Sequence, residues 1–153
     1  MDLFPDFADL LAAFARHEVR YLIVGGYAVS LHARPRFTKD LDLWIGEAAP
    51  NRDRAAAALE EFGAPLAVVV ALRTAAASDI VWFGAPPLRV DLLQRIPGVE
   101  FDVAWRRRQP FEVAGLVVHA LSLEDLITAK RAAGRPKDRL DVEALVRVAH
   151  RQP

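Results

Sequence analysis

The hydrophobic and polar positions of this 153-residue chain fall into short periodic segments. Leu3, Phe7, Leu10, Leu11 and Phe14 recur at helical spacing and predict an amphipathic helix over 3–14, with Pro5 in its first turn. Tyr21-Leu22-Ile23-Val24 is an apolar, β-branched run that stops at Gly25-Gly26 and reads as a buried strand. Residues 27–32 then have helical character and end before Arg34-Pro35, because the residue preceding a proline avoids the helical region. Over 41–45 the pattern alternates. Leu41, Leu43 and Ile45 point to one face of a strand, and Asp40, Asp42 and Trp44 to the other.

Further along, an alanine-rich helix is predicted over 51–62, capped by Asn51 and stopped at Gly63. Residues 66–72 are apolar throughout and fit a strand or the end of a buried helix equally well. Residues 80–83 and 88–93 flank Gly84-Ala85-Pro86-Pro87 as a hairpin, and Asp91 interrupts its second strand, facing away from Val90 and Leu92. A short helix over 101–108 ends in Arg106, Arg107 and Arg108, and a second hairpin over 111–120 turns at Ala114-Gly115. Ser122 caps a helix that Gly134 terminates, and Pro136 begins the last helix, to about Ala149. The order of elements predicts one α/β (α+β) domain over 1–153, with a small mixed sheet, helices mainly on one face and an acidic site on the other.

Composition narrows the picture. With 53% hydrophobic and 26% charged residues the chain is neither disordered nor a membrane protein, and no apolar run is long enough to span a bilayer. Asp2, Asp6 and Asp9 stand where a signal peptide carries basic residues, and cysteine is absent, which excludes disulfides and thiolate metal sites. A cytoplasmic location is the expectation. The 20 basic and 20 acidic side chains cancel, so any polyanion has to be held locally.

The chemistry gathers between Tyr21 and Ile45. Asp40 and Asp42, two residues apart on one strand, share a face, where two unit charges about 4 Å apart repel by roughly 4 kcal/mol at an effective dielectric near 20. A divalent cation removes that repulsion, and Mg²⁺ suits it because it takes oxygen ligands and shares its remaining positions with phosphates. Asp91, on a neighbouring strand, offers a third carboxylate. The alternative for the acidic pair alone is a solvated strand face. Gly25-Gly26, between strand and helix, either lets backbone amides approach a phosphate or makes an ordinary turn. Arg34, Arg36 and Lys39 either hold a triphosphate or form a solvated loop. Lys130 and Asp141 fall on the inward faces of the last two helices and need partners, either each other in a buried ion pair or a nucleotide. His32 either touches nucleotide or caps its helix. Trp44 shares the face of Asp42 and is a candidate to line the pocket, whereas Trp82 and Trp105 read as core. The Arg106–Arg108 run reads as a solvated helix end, with RNA contact as the alternative.

The glycine pair after an apolar strand, then Arg36-Phe37-Thr38-Lys39-Asp40-Leu41-Asp42-Leu43, then Asp91 on Leu88-Arg89-Val90-Asp91-Leu92, resembles the polymerase-beta-like nucleotidyltransferases. Within them the chain is most similar to small bacterial proteins related to the AbiEii abortive-infection toxins, whose ending is like Lys130-Arg131-Ala132-Ala133-Gly134-Arg135-Pro136-Lys137-Asp138 followed by Asp141. The resemblance implies Mg²⁺ ligation by Asp40 and Asp42, with Asp91 as third acid, ligating metal or helping to deprotonate an acceptor hydroxyl. It implies nucleotide binding by Gly25, Gly26, Arg36, Lys39 and Lys130, with Asp141 orienting the lysine. The implied reaction moves a nucleoside monophosphate from an NTP to an acceptor hydroxyl. An RNA or tRNA end comes first as acceptor, then a protein or small molecule, and a toxin role would bring an antitoxin partner. Many superfamily members carry serine beside the glycine, where this chain has Gly26 followed by Tyr27. A non-catalytic nucleotide-binding regulatory module and a phosphohydrolase are the rival readings.

Overall fold

The computed structural model describes residues 3–35, 38–85 and 87–152. Its helices are α1 (Pro5–Arg16), α2 (Gly25–His32), α3 (Ala49–Phe62), α4 (Leu66–Thr74), α5 (Phe101–Arg106), α6 (Leu123–Ala133) and α7 (Pro136–Arg151). Its strands are β1 (Leu22–Val24), β2 (Asp40–Trp44), β3 (Val81–Phe83), β4 (Arg89–Leu93), β5 (Gln109–Val113) and β6 (Leu116–Ala120). The six strands form one mixed sheet in the order β3-β4-β2-β1-β6-β5. β1 runs antiparallel to β2 and parallel to β6, β2 runs parallel to β4, and each outer pair is an antiparallel hairpin.

Register assigns the faces. Leu43 lies opposite Ile23 and Leu92, and Val90 opposite Leu41 and Phe83. These side chains form the buried face, with Leu41 and Leu43 at 0% exposure, each contributing roughly 1.5–3 kcal/mol by leaving water. Helices cover that face. Phe62 of α3 meets Phe83 edge-on at 6.1 Å, and on α1 Phe14 meets Tyr21 and Phe7 meets Tyr27, both at 5.8 Å. The opposite face carries Val24, Asp42 and Asp91, which are in register across β1, β2 and β4, and then Trp82 on β3.

Several local expectations change. Residues 66–72 are helical: Val69 and Leu72 are buried one turn apart, whereas Leu66 and Val70 are exposed, a 3.6-residue period that a strand cannot produce. Asn51 does not cap α3, which begins at Ala49 after an N-cap at Ala48. Its buried amide instead donates to the carbonyls of Arg20 and Ile45 and accepts from the Arg20 N–H, tying the start of α3 to the strands. The helix after β1 starts at Gly25 rather than at Tyr27. Trp44 shares the face of Asp42 yet is core: α5 closes that end, with Phe101 edge-on at 5.1 Å and the indole N–H donating to the Gln94 carbonyl at 3.0 Å. Trp82, expected in the core, is 52% exposed.

Candidate active site

The site is built where β1 gives way to α2. Gly25 takes φ +68°, and a Cβ there would collide with Oδ2 of Asp42, so only glycine fits beside that carboxylate. The N-cap of α2 is Val24, whose side chain has no acceptor to offer the first-turn amides. Gly26 is the second residue of the same turn.

Parallel pairing of β2 with β4 puts Asp42 directly opposite Asp91. Burial, hydrogen bonding to Asp91 and the negative charges of Asp91 and Asp40 push the Asp42 carboxyl up to about 7, against a smaller pull from Lys130. Asp40 stands at the exposed start of β2, two residues away on the same face. Arg89, two residues before Asp91 on β4, binds its Oδ1 through Nε at 2.7 Å and lays its guanidinium over the Trp82 ring, 4.2 Å from the centroid.

Opposite these acids sits a cluster of ion pairs from α6 and α7. Lys130, 8% exposed, contacts Asp138 at 3.2 Å and Asp141 at 3.0 Å. Arg135 grips the same Asp138 through Nε at 2.7 Å, and its backbone N–H donates to Asp138 at 3.1 Å. Burial alone would raise the Asp138 carboxyl, but the hydrogen bonds from Arg135 and Lys130 outweigh it and bring it down to about 2. A cleft of about 130 Å³ unites the halves, lined by Gly25, Asp42, Lys130, Arg135 and Asp138. Asp141 also lines a separate groove of about 490 Å³ with Arg34, Arg147 and Arg151, so the Lys130–Asp141 pair forms the partition between cleft and groove.

Of the residues singled out by sequence, the fold brings Gly25, Asp42, Asp91 and Lys130 together, with Asp40 at the margin. Lys130 and Asp141 form the ion pair that was one of their two readings. Lys39 is exposed, and its carbonyl receives the Arg89 N–H at 3.1 Å. Arg36 lies outside the described residues. His32 neither caps α2 nor faces the cleft: it bonds the Leu121 carbonyl at 2.7 Å and packs edge-on against Phe111. Tyr27 is buried against Phe7, so it does not stand in for the serine hydroxyl. Arg89 and Arg135 were missed, although each carried a signal. Arg89 is two residues from Asp91 on one strand, and Arg135 precedes a proline with an acid three residues on.

By its chemistry, an all-oxygen donor set beside a glycine turn suits a hard cation such as Mg²⁺. The crowding that holds Asp42 near neutrality is what such a cation would relieve. Among the described residues, no three carboxylate or imidazole side chains are already gathered to hold one. Asp40 stands apart, and Arg89 engages Asp91.

Comparison with known proteins places the fold and the family. The chain is similar in structure to a lincosamide antibiotic adenylyltransferase, LnuA, solved with lincomycin bound (TM-score 0.58, 13% identity, 96% of this chain and 98% of that one). It is also similar to an antigenic nucleotidyltransferase-like protein from Paracoccidioides brasiliensis (TM-score 0.53, 15% identity, 94% of this chain and 74% of that one). At these identities the likeness shows a shared fold. No curated protein matches the chain in sequence. Residues 2–149 match the family described as "Nucleotidyltransferase of unknown function (DUF6036)", and the chain belongs to that family of nucleotidyltransferases.

Proposed function

We propose that the protein is a Mg²⁺-dependent cytoplasmic enzyme that transfers a nucleoside monophosphate from an NTP to an acceptor hydroxyl. The observation that carries this reading is the Asp42–Asp91 carboxyl pair, crowded together beside the uncapped start of α2 and faced by Lys130. The α2 amides around Gly25 and Gly26 would receive the triphosphate, with Lys39, Arg36 and Lys130 adding positive charge. Asp40, Asp42 and Asp91 would hold the metal, which when bound supplies charge neutralisation at the reacting phosphate. The acceptor oxygen bonds to the α-phosphorus, the bond from that phosphorus to the bridging oxygen breaks, and pyrophosphate carries the electron pair away. Asp91 would take the hydroxyl proton. Asp141 and Asp138 fix the Lys130 ammonium in place, so that the protein's contribution is positioning and charge. Within the superfamily we place the chain nearest the AbiEii-related proteins, with an RNA or tRNA end as first acceptor and an antitoxin as partner; the ending from Lys130 to Asp141 supports that branch.

The Arg89–Asp91 ion pair favours a second reading, a nucleotide-binding module in which Arg89 permanently neutralises the third acid. One experiment separates them. The purified chain is incubated with Mg²⁺, labelled NTP and total cell RNA, beside an Asp40→Ala/Asp42→Ala variant, while NTP binding is followed by thermal shift. Label incorporated by the wild type and abolished in the variant supports the transferase. Equal, background incorporation with NTP bound supports the module.

A further inference from the structure

The acid face of the sheet ends in an unusual edge. β3 has three residues, and its middle one, Trp82, pairs in register with Asp91, so the indole stands next to the third acid on the same face. A tryptophan this exposed on a three-residue edge strand contributes little to the core. The Arg89 guanidinium covers one side of the ring and reaches Asp91 with its Nε, linking indole, guanidinium and carboxylate in one row. The Arg89 side chain is itself 43% exposed. Trp82 also lines a groove of about 520 Å³ between α4 and β3, with Ala71, Thr74, Asp79 and Ile80. This edge lies across β4 and β2 from α6 and α7, whose residues line the cleft with Gly25.

Resting on the transferase reading, we infer that Trp82 and Arg89 form the acceptor subsite, and that the acceptor is a single-stranded RNA end whose nucleobase stacks on this pair. An indole and a guanidinium are both planar stacking surfaces, and the cation also attracts the flanking phosphate. A base stacked at β3 sets its own ribose hydroxyls toward Asp91, one strand away. Stacking tolerates any base, so the subsite selects a free end rather than a sequence. Arg89 is thereby a positioning residue that ties the arriving base to the carboxylate meant to take its proton.

The test measures binding of a fluorescein-labelled single-stranded RNA oligonucleotide to the full chain by anisotropy, in EDTA and without NTP. A second probe has the same sequence with an abasic 3′-terminal nucleotide. Trp82→Ala is expected to weaken binding of the intact probe about tenfold, the loss of one base stack, and Trp82→Phe to stay within about threefold of wild type. The abasic probe is expected to bind all three proteins alike. Circular dichroism confirms that the variants, changed at an exposed position, remain folded. The inference is overturned if Trp82→Ala binds the intact probe as tightly as wild type, if both probes lose equally, or if no RNA binds. The Mg²⁺–NTP thermal shift of the wild-type protein reads the transferase proposal separately: its absence defeats that proposal whatever the RNA does, whereas a shift with an indifferent Trp82 defeats this inference alone.

Discussion

Two acidic groups face each other across one small cleft, and burial treats them in opposite ways. Asp138 is fully buried, yet Arg135 and Lys130 surround it and hold its carboxyl down at about 2. Asp42 is also largely buried, but the residue paired opposite it carries another carboxyl, and it is pushed up to about 7. The first group is satisfied in the folded chain as it stands. The second is left in conflict, a cost that a fold retains where a bound cation or substrate resolves it. On the proposed function the contrast separates scaffold from working site: α6 and α7 supply a neutralised clamp, whereas β2 supplies a carboxyl that awaits a partner.

The largest expected effect breaks the satisfied group. Asp138→Ala leaves the buried Lys130 with Asp141 alone and strips Arg135 of its carboxylate, which should cost about 3–5 kcal/mol, the usual penalty for removing one partner of a buried ion pair. Urea unfolding measures it; a loss under 1 kcal/mol would mean that Asp141 alone suffices and that the clamp is redundant. Next comes the unsatisfied group. Asp42→Asn should lower labelled NMP transfer by about 10²–10³-fold, the range for removing one preorganised electrostatic group, while making the protein more stable above neutral pH. A carboxyl raised from 3.8 to about 7 by folding binds a proton that the unfolded chain has released. Its contribution to stability is therefore complete below 3.8 and falls as pH rises to about 7, by an amount on the order of a few kcal/mol. Asp138 gives the opposite slope, stabilising above 3.8 and losing that contribution as pH falls toward 2. Thermal melts should show the wild type losing stability relative to Asp42→Asn as pH rises from 3.8 to about 7. Parallel curves for the two proteins would mean that Asp42 is ionised at no cost.

What the sequence could disclose follows the range of the interactions involved. Period-two alternation at Asp40–Trp44, turn chemistry at Ala114-Gly115 and the Ser122 cap with its Gly134 stop are local, and each appears where it was expected. Even the meeting of Asp42 and Asp91 was readable as two acids on facing strands. The failures are non-local. Trp44 alternates correctly and is still buried, because α5, more than fifty residues away, folds over that end of the sheet. Asn51 looks like a cap until Arg20 and Ile45 claim its amide. Residues 66–72 carry no period in the uniform apolar letters; the helix shows only in which of them meet the core. Arg89 and Arg135 drew no role from the sequence because their meaning lies in the carboxylate each one holds.

The smallest effect concerns the glycine that joins the two groups. Gly25→Ala should lower stability for two separable reasons. An L-residue at φ +68° costs about 1–2 kcal/mol wherever it occurs, and the new methyl would also strike Oδ2 of Asp42, forcing the carboxylate off its partner Asp91. The backbone cost does not depend on Asp42, but the collision does. In an Asp42→Ala background the methyl meets no carboxylate oxygen, so only the φ cost should remain, and a double-mutant cycle should return a coupling energy of about 0.5–1 kcal/mol or more. Additivity of the two substitutions would mean that Asp42 swings aside freely when Gly25 gains a side chain. The crowding that holds Asp42 near neutrality would then be soft, and the difference between the two acidic groups would be one of degree.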